Sequence, residues 1–256
     1  MANWSGTKTN NNPTGISTGL NSSISFNDTT ANWGDMTNWE LRITAGLGVG
    51  QKRTILINTA ITITITEAWD TMPDETSEYE LVLILRNQDH IVGNLSLGAG
   101  IITELEDSAT ILFDGNYTLN FVNSVKCNWG KSKFTLVTFE PNQISVQGKA
   151  SFWSYIYFQA NVSNPIYFSY IKVVDAMYGT ILGSSVGIGD FLNIHHLRFK
   201  NLGNNFIQRG YATEIQNTKI THLLYEGGYA PSKLFFNNFA NTNYIEEYER
   251  IWVENC

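Results

Sequence analysis

The most constraining feature of this 256-residue chain is a recurrence of short apolar strands in its second half. Ile171, Leu197 and Ile220 sit at equivalent places in three such strands, separated by 26 and 23 residues. Each strand ends at a corner of Asp, Asn, Gly or Glu: Asp175, then Asn201-Leu202-Gly203, then Glu226-Gly227-Gly228. Apolar residues alternating with period two and bounded by turn formers read as strands. A unit of 20 to 30 residues is the mark of a stacked repeat. The units hold no amphipathic run of helical length, which argues against βαβ units and helical repeats.

The segments that carry the pattern are IHHLRFKNLGNN, IQNTKITHLLYEGG and IWVENC, each an apolar-x-apolar strand followed by Asn or Gly. They resemble the right-handed parallel β-helix superfamily, which includes pectate-lyase-like enzymes and phage tailspikes. The resemblance is one of pattern and covers residues 51–256. It implies an all-β fold, a right-handed parallel β-helix (solenoid) over 51–256, with residues 1–50 as an Asn/Thr/Gly-rich N-terminal segment or cap. The alternative fold is an antiparallel β-sandwich, which also combines short strands with Gly-rich turns. The resemblance further implies a homo-oligomer, with a trimer as the expected form.

Composition narrows the function classes. Charged residues make up 15% of the chain, well below the usual quarter, and Asn outnumbers Gly. Asn suits corners because it tolerates the left-handed backbone region and bonds its own backbone. The formal net charge is −7, and the 16 Lys and Arg are scattered without a basic patch, which argues against nucleic-acid binding. No apolar run reaches the ~20 residues of a membrane span, so no membrane insertion is expected. Cys127 and Cys256 form neither a disulfide framework nor a CxxC pair and read as small buried hydrophobes. The opening MANWS has no basic and apolar leader pattern, so no signal peptide is read in the sequence as given. The last residues, IWVENC, stop inside the repeat pattern, as expected of a fragment that ends before its C-terminal cap.

Within the N-terminal half, ILINTAITITIT (55–66) alternates most clearly. It reads as one strand with Ile61, Ile63 and Ile65 facing inward. Gly46-Leu47-Gly48-Val49-Gly50 lacks the Lys-Ser/Thr of a phosphate loop and reads as a flexible corner. No cofactor is expected.

Candidate binding residues cluster on FWSYIYF (152–158). With Phe152, Ile156 and Phe158 inward, Trp153, Tyr155 and Tyr157 form an outer stripe about 13 Å long at strand rise. Tyr170 on a following strand would widen it. Such a platform stacks on sugar rings, or packs against a neighbouring subunit. For catalysis, Asp175 and Glu226 are the weak candidates, a carboxylate pair ending strands two repeats apart, about 10 Å from one another. Clustered Asp with adjacent Lys and Arg, the pattern of the lyases, is not evident. His196 and His222 differ by 26 residues and would stack, which reads as structural; no metal site is expected. The expected function is therefore a non-catalytic structural or receptor/glycan-binding protein, such as part of a phage tail spike or fibre or a surface adhesin, in a virion or extracellular setting. The alternative is a polysaccharide lyase or glycoside hydrolase.

Overall fold

The computed structural model describes residues 1–10, 12–98, 100–121, 126–129, 136–142, 155–158, 166–174, 180–182, 192–200, 207–209, 218–226 and 251–254. Among them the regular structure is all β. The strands are β1 (Asn3–Lys8), β2 (Thr14–Ile16), β3 (Ser25–Asn27), β4 (Glu40–Ala45), β5 (Lys52–Asn58), β6 (Thr62–Ile65), β7 (Glu78–Leu85), β8 (His90–Leu97), β9 (Ile102–Leu105) and β10 (Thr110–Phe113). They continue with β11 (Thr118–Phe121), β12 (Lys126–Trp129), β13 (Val137–Pro141), β14 (Tyr155–Phe158), β15 (Ile166–Val174), β16 (Thr180–Leu182), β17 (Leu192–Lys200), β18 (Ile207–Arg209), β19 (Thr218–Glu226) and β20 (Ile251–Glu254).

The expectation of a right-handed parallel β-helix beginning at residue 51 is corrected by the strand pairing. Among the described residues two sheets are present, one mixed and one antiparallel. In the mixed sheet β4 pairs antiparallel with β5 and with β7, and β2 pairs antiparallel with β7. In the second sheet β6 pairs antiparallel with both β3 and β5. Residues 52–85 therefore do not wind into parallel turns. The arrangement is closer to a sandwich than to a single solenoid.

The physical reason is the length of the connections. Antiparallel neighbours can be joined by tight turns, whereas parallel neighbours need a crossover of a dozen residues or more. Gly46, Gly48 and Gly50 have φ of 75°, 82° and 89°, and they turn β4 directly into β5. A Cβ on Gly46 would lie 2.0 Å from the Thr76 carbonyl oxygen, so this corner is closely packed rather than flexible. The run 55–66 breaks in the middle: Thr59 N–H donates to the Thr62 carbonyl, and β5 folds back as β6. Ile63 and Ile65 are buried as expected, but Ile61 at the turn is 40% exposed. Strand β5 also joins the two sheets. It pairs with β4 through Lys52–Thr54 and with β6 from Ile55, with a register shift between Ile55 and Ile57. A strand that changes sheet at a bulge is a usual corner of packed sheets.

The chain divides into two compact units. One comprises Thr9–Ile84 and Ala99–Glu104; the other comprises Met1–Lys8, Leu85–Gly98 and Leu105–Cys256. The first holds the antiparallel strands β2 to β7. Its core is aromatic: Phe26, Trp39 and Tyr79 are fully buried, with Tyr79 edge-on to Phe26 at 5.1 Å and to Trp33 at 5.7 Å between ring centroids. Burial of this size dominates the energetics of a small core. Residues 14–45 thus supply β2, β3 and β4 to a packed unit, with Trp33 and Trp39 buried inside it.

The second unit is built of parallel ladders. Strand β8 lies beside β1 on one side and beside β10 and β11 on the other. From β10 the pairing runs through β13, β15, β17, β19 and β20, and from β11 through β14, β16 and β18. Ile171 pairs with Leu197. Leu197 pairs with Leu223, whereas Ile220 pairs with Ile194, so the second step is 26 residues and not the 23 read from the sequence. Inward positions stack in columns: Ile91, Leu95, Leu97, Ile111, Phe113, Leu119, Val137, Phe139, Ile156, Ile171 and Val173 are all buried. The alternate positions of β8, β10, β11 and β13, among them Asn94, Thr110, Thr118 and Thr138, are partly or fully exposed.

Candidate functional site

In the second unit, outward polar side chains bond from one strand to the next. His90 Nδ1 lies 2.8 Å from Asp114 Oδ1, and Asn142 Nδ2 donates to the same oxygen at 2.7 Å. His90 opens β8, Asp114 follows β10 and Asn142 follows β13. The three are brought together because Phe113 pairs with Ile91 and with Pro141. The backbone follows the same ladder, since Asp114 N–H donates to the Ile91 carbonyl and Asn142 N–H to the Phe113 carbonyl. Further along β8, Asn94 Oδ1 accepts from the Thr118 amide and hydroxyl, and Asn120 Nδ2 donates to Ser96 Oγ. Three of these residue pairs lie 24 apart, which is the register of β8 with β11; β8 meets β10 at an offset of 22, so His90 reaches Asp114 diagonally.

The proton positions follow from the donors. A carboxylate accepts only, so with Asn142 donating to Asp114 Oδ1 the His90 nitrogen facing it carries the hydrogen. In the neutral ring Nε2 is then left as the acceptor, the orientation by which a carboxylate sets a histidine tautomer. The His90 and Asp114 side chains are 21% and 24% exposed, so the pair is reachable from solvent.

Next to His90 in the chain is a structural carboxylate. Asp89 is 1% exposed and ends the corner between β7 and β8. Its Oδ1 accepts the Ala2 amide at 2.6 Å; its Oδ2 accepts the Trp4 indole N–H at 2.8 Å and the Arg86 amide at 2.9 Å. It holds β1 against β8.

Two further charged groups belong to the first unit. Arg42 donates to both oxygens of Glu104, at 2.8 and 2.6 Å, and through Nε to Glu40, with Glu80 3.8 Å away. Partial burial acts to lower the Arg42 pKa, but the hydrogen bonds and charges of Glu104 and Glu40 outweigh it and leave the guanidinium more firmly protonated than usual. Tyr79 donates to the buried Asp28 at 2.8 Å, and Asp28 also accepts from the Thr30 amide and hydroxyl. Burial, then the bond and charge of Asp28, push the Tyr79 hydroxyl well above its ordinary value. On the surface of that unit, hydrogen bonds from the Thr76 hydroxyl and amide hold Asp74 below the usual carboxylate range.

Of the residues singled out from the sequence, Trp153 and Asp175 lie outside the described residues. Tyr155 and Tyr157 are on β14, in register with Thr118 and Asn120 of β11, and Ile156 between them is buried. Tyr170 is on β15, whose ladder partners include β12, β13 and β17. Glu226 ends β19 in register with Glu254. His195 pairs with Thr221, and Leu197 with Leu223, so 26-residue register holds on both sides of His196 and His222.

Sequence reasoning missed the row that starts at His90. In the sequence Asp114-Gly115-Asn116 and Pro141-Asn142 have the composition of turns, and His90 lies far from the other three histidines. The signal that could have found them is the 24-residue offset of His90–Asp114, Asn94–Thr118 and Ser96–Asn120. Among the described residues no group of three or more His, Cys, Asp or Glu converges to hold a metal ion, and no helix is long and apolar enough to cross a membrane. No protein-family model, curated protein or solved structure matches this chain.

Proposed function

We propose that this chain is a non-catalytic structural protein that recognises a glycan or glycosylated receptor, as a part of a tail spike or fibre or a surface adhesin does. The observation that carries this reading is the outward row of His90, Asp114, Asn142, Asn94 and Thr118, fixed by its own hydrogen bonds before any ligand arrives. Side chains already held in place lose little conformational freedom on binding, which favours recognition of a flexible, hydroxyl-rich polymer. Among the described residues the most buried carboxylates, Asp28 and Asp89, are committed to structural donors. The setting that fits such a role is a virion or a cell surface, with the chain assembled as a homo-oligomer, a trimer in the simplest case. Affinity electrophoresis through gels containing a panel of polysaccharides tests the binding, and sedimentation tests the assembly. Migration unchanged by every polymer, together with a strict monomer, would refute the reading.

A second reading, a polysaccharide lyase or glycoside hydrolase, is favoured by one observation. A histidine oriented by a carboxylate is a general base in waiting. Release of reducing ends or unsaturated products from the same panel, abolished by His90→Ala, would establish it in place of the first.

A further inference from the structure

We infer that the glycan taken by this chain is uncharged, and that it lies across the outward face of β8, β10, β11 and β13. This rests on the glycan-recognition reading above and names its ligand class. Burial alternates cleanly along these strands, with Ile91, Leu95, Ile111, Phe113, Val137 and Phe139 inside. Among the described residues the outward positions of these strands carry two acidic or basic groups, His90 and Glu140, and besides the buried Asp89 their adjoining corners add Arg86, Glu106, Asp107 and Asp114, so carboxylates outnumber the one guanidinium. The rest that can hydrogen-bond are amides and hydroxyls, such as Asn94 and Thr118.

This chemistry selects by sign. A uronic-acid polymer would set its carboxylates against Asp114 and Glu140 on a chain whose formal net charge is already −7. Like charges brought together at close range oppose binding. A neutral polymer meets no such penalty. Its hydroxyls both donate and accept, and the face offers both: the Nε2 of neutral His90 and the carboxylate oxygens accept, while the amide of Asn94 donates. Successive strands repeat these groups at about 4.8 Å, so a polymer can contact several of them at once. On the second reading the same argument selects hydrolysis over β-elimination, because elimination requires a carboxylate beside the carbon that loses its proton.

The test uses the full chain in affinity gels containing dextran, mannan, xylan, polygalacturonate or alginate, at low and at moderate salt. The expected result is retardation by at least one neutral polymer and by neither acidic one. His90→Ala and the exposed-site variant Asn94→Ala should each weaken that retardation at least tenfold, with wild-type circular dichroism. Salt-sensitive retardation by polygalacturonate or alginate would overturn the inference while leaving glycan recognition standing. So would retardation by a neutral polymer that Asn94→Ala leaves unchanged. No retardation by any polymer would overturn the glycan reading itself and this inference with it.

Discussion

Asp89 offers the sharpest test of how the parallel unit is held at its first strand. The carboxylate is 1% exposed and accepts three hydrogen bonds, from Ala2 N, Trp4 Nε1 and Arg86 N. A hydrogen bond to a charged group contributes roughly 1.5–3 kcal/mol, and a buried donor left without a partner costs about 1–3 kcal/mol. The three bonds share one side chain, so their contributions do not simply add. Asp89→Ala strands the Trp4 indole N–H in the core and frees two backbone amides. A loss of about 3–5 kcal/mol is expected, a large part of the ~5–15 kcal/mol that stabilises a domain. Asp89→Asn keeps one oxygen for the Trp4 and Arg86 donors but turns an amide toward Ala2, at a cost of about 1–2 kcal/mol. The assay is urea unfolding at pH 7, with hydrogen exchange across residues 2–8 to report on β1 itself. A double-mutant cycle with Trp4→Phe isolates the indole bond, and a coupling of about 1 kcal/mol or more is expected. Asp89→Ala costing under about 1 kcal/mol, or exchange in β1 unaffected by it, would refute the clamp.

Other predictions concern the antiparallel unit. Tyr79→Phe should cost about 1.5–3 kcal/mol, because Asp28 loses a buried donor. Since the folded Tyr79 titrates above its ordinary value of 10.0, its contribution is complete below about pH 10 and is lost as pH rises through the folded value; an alkaline fall in stability should be present in the wild type and smaller in the Phe variant, as urea midpoints between pH 8 and 11 will show. Gly46→Ala should cost at least about 3 kcal/mol, since its Cβ meets the Thr76 oxygen at φ +75°, whereas Gly50→Ala, at φ +89° with nothing within 4 Å, should cost only about 1–2 kcal/mol for the backbone conformation; equal losses in thermal unfolding would contradict the packed corner. Arg42→Ala leaves Glu40, Glu80 and Glu104 facing one another and should cost about 2–3 kcal/mol, more in low salt than in high; a salt-independent loss would mean that only packing was removed.

How far each feature could be read from the residues depends on the range of the interactions behind it. Period-two alternation marked the strands because the pleat is local: Ile63, Ile65, Ile91 and Ile111 are inside, as their neighbours in sequence require. What a strand pairs with is not local. The run 55–66 alternates without interruption, yet it folds back at Thr59–Ile61, because a hairpin costs only the closure of a short loop and lets Ile55 and Ile65 face each other across the turn. Alternation is the same in a parallel and in an antiparallel strand, so the pattern that suggested stacked turns from residue 51 onward carried no information on direction for β5, β6 and β7. The same limit shifted Leu197 from Ile220 to Leu223: apolar residues three apart offer two registers, and only the packed columns choose between them.

Composition and alternation alone were enough to specify an all-β chain of low charge with corners of Asn and Gly, because those preferences belong to single residues and their immediate neighbours. The joining of His90 to Asp114 and Asn142, of Asp89 to Trp4, and of Arg42 to Glu104 came from folding. Each pair spans from 24 to 85 positions and exists only once the register between strands has been set by the burial of the residues beside it.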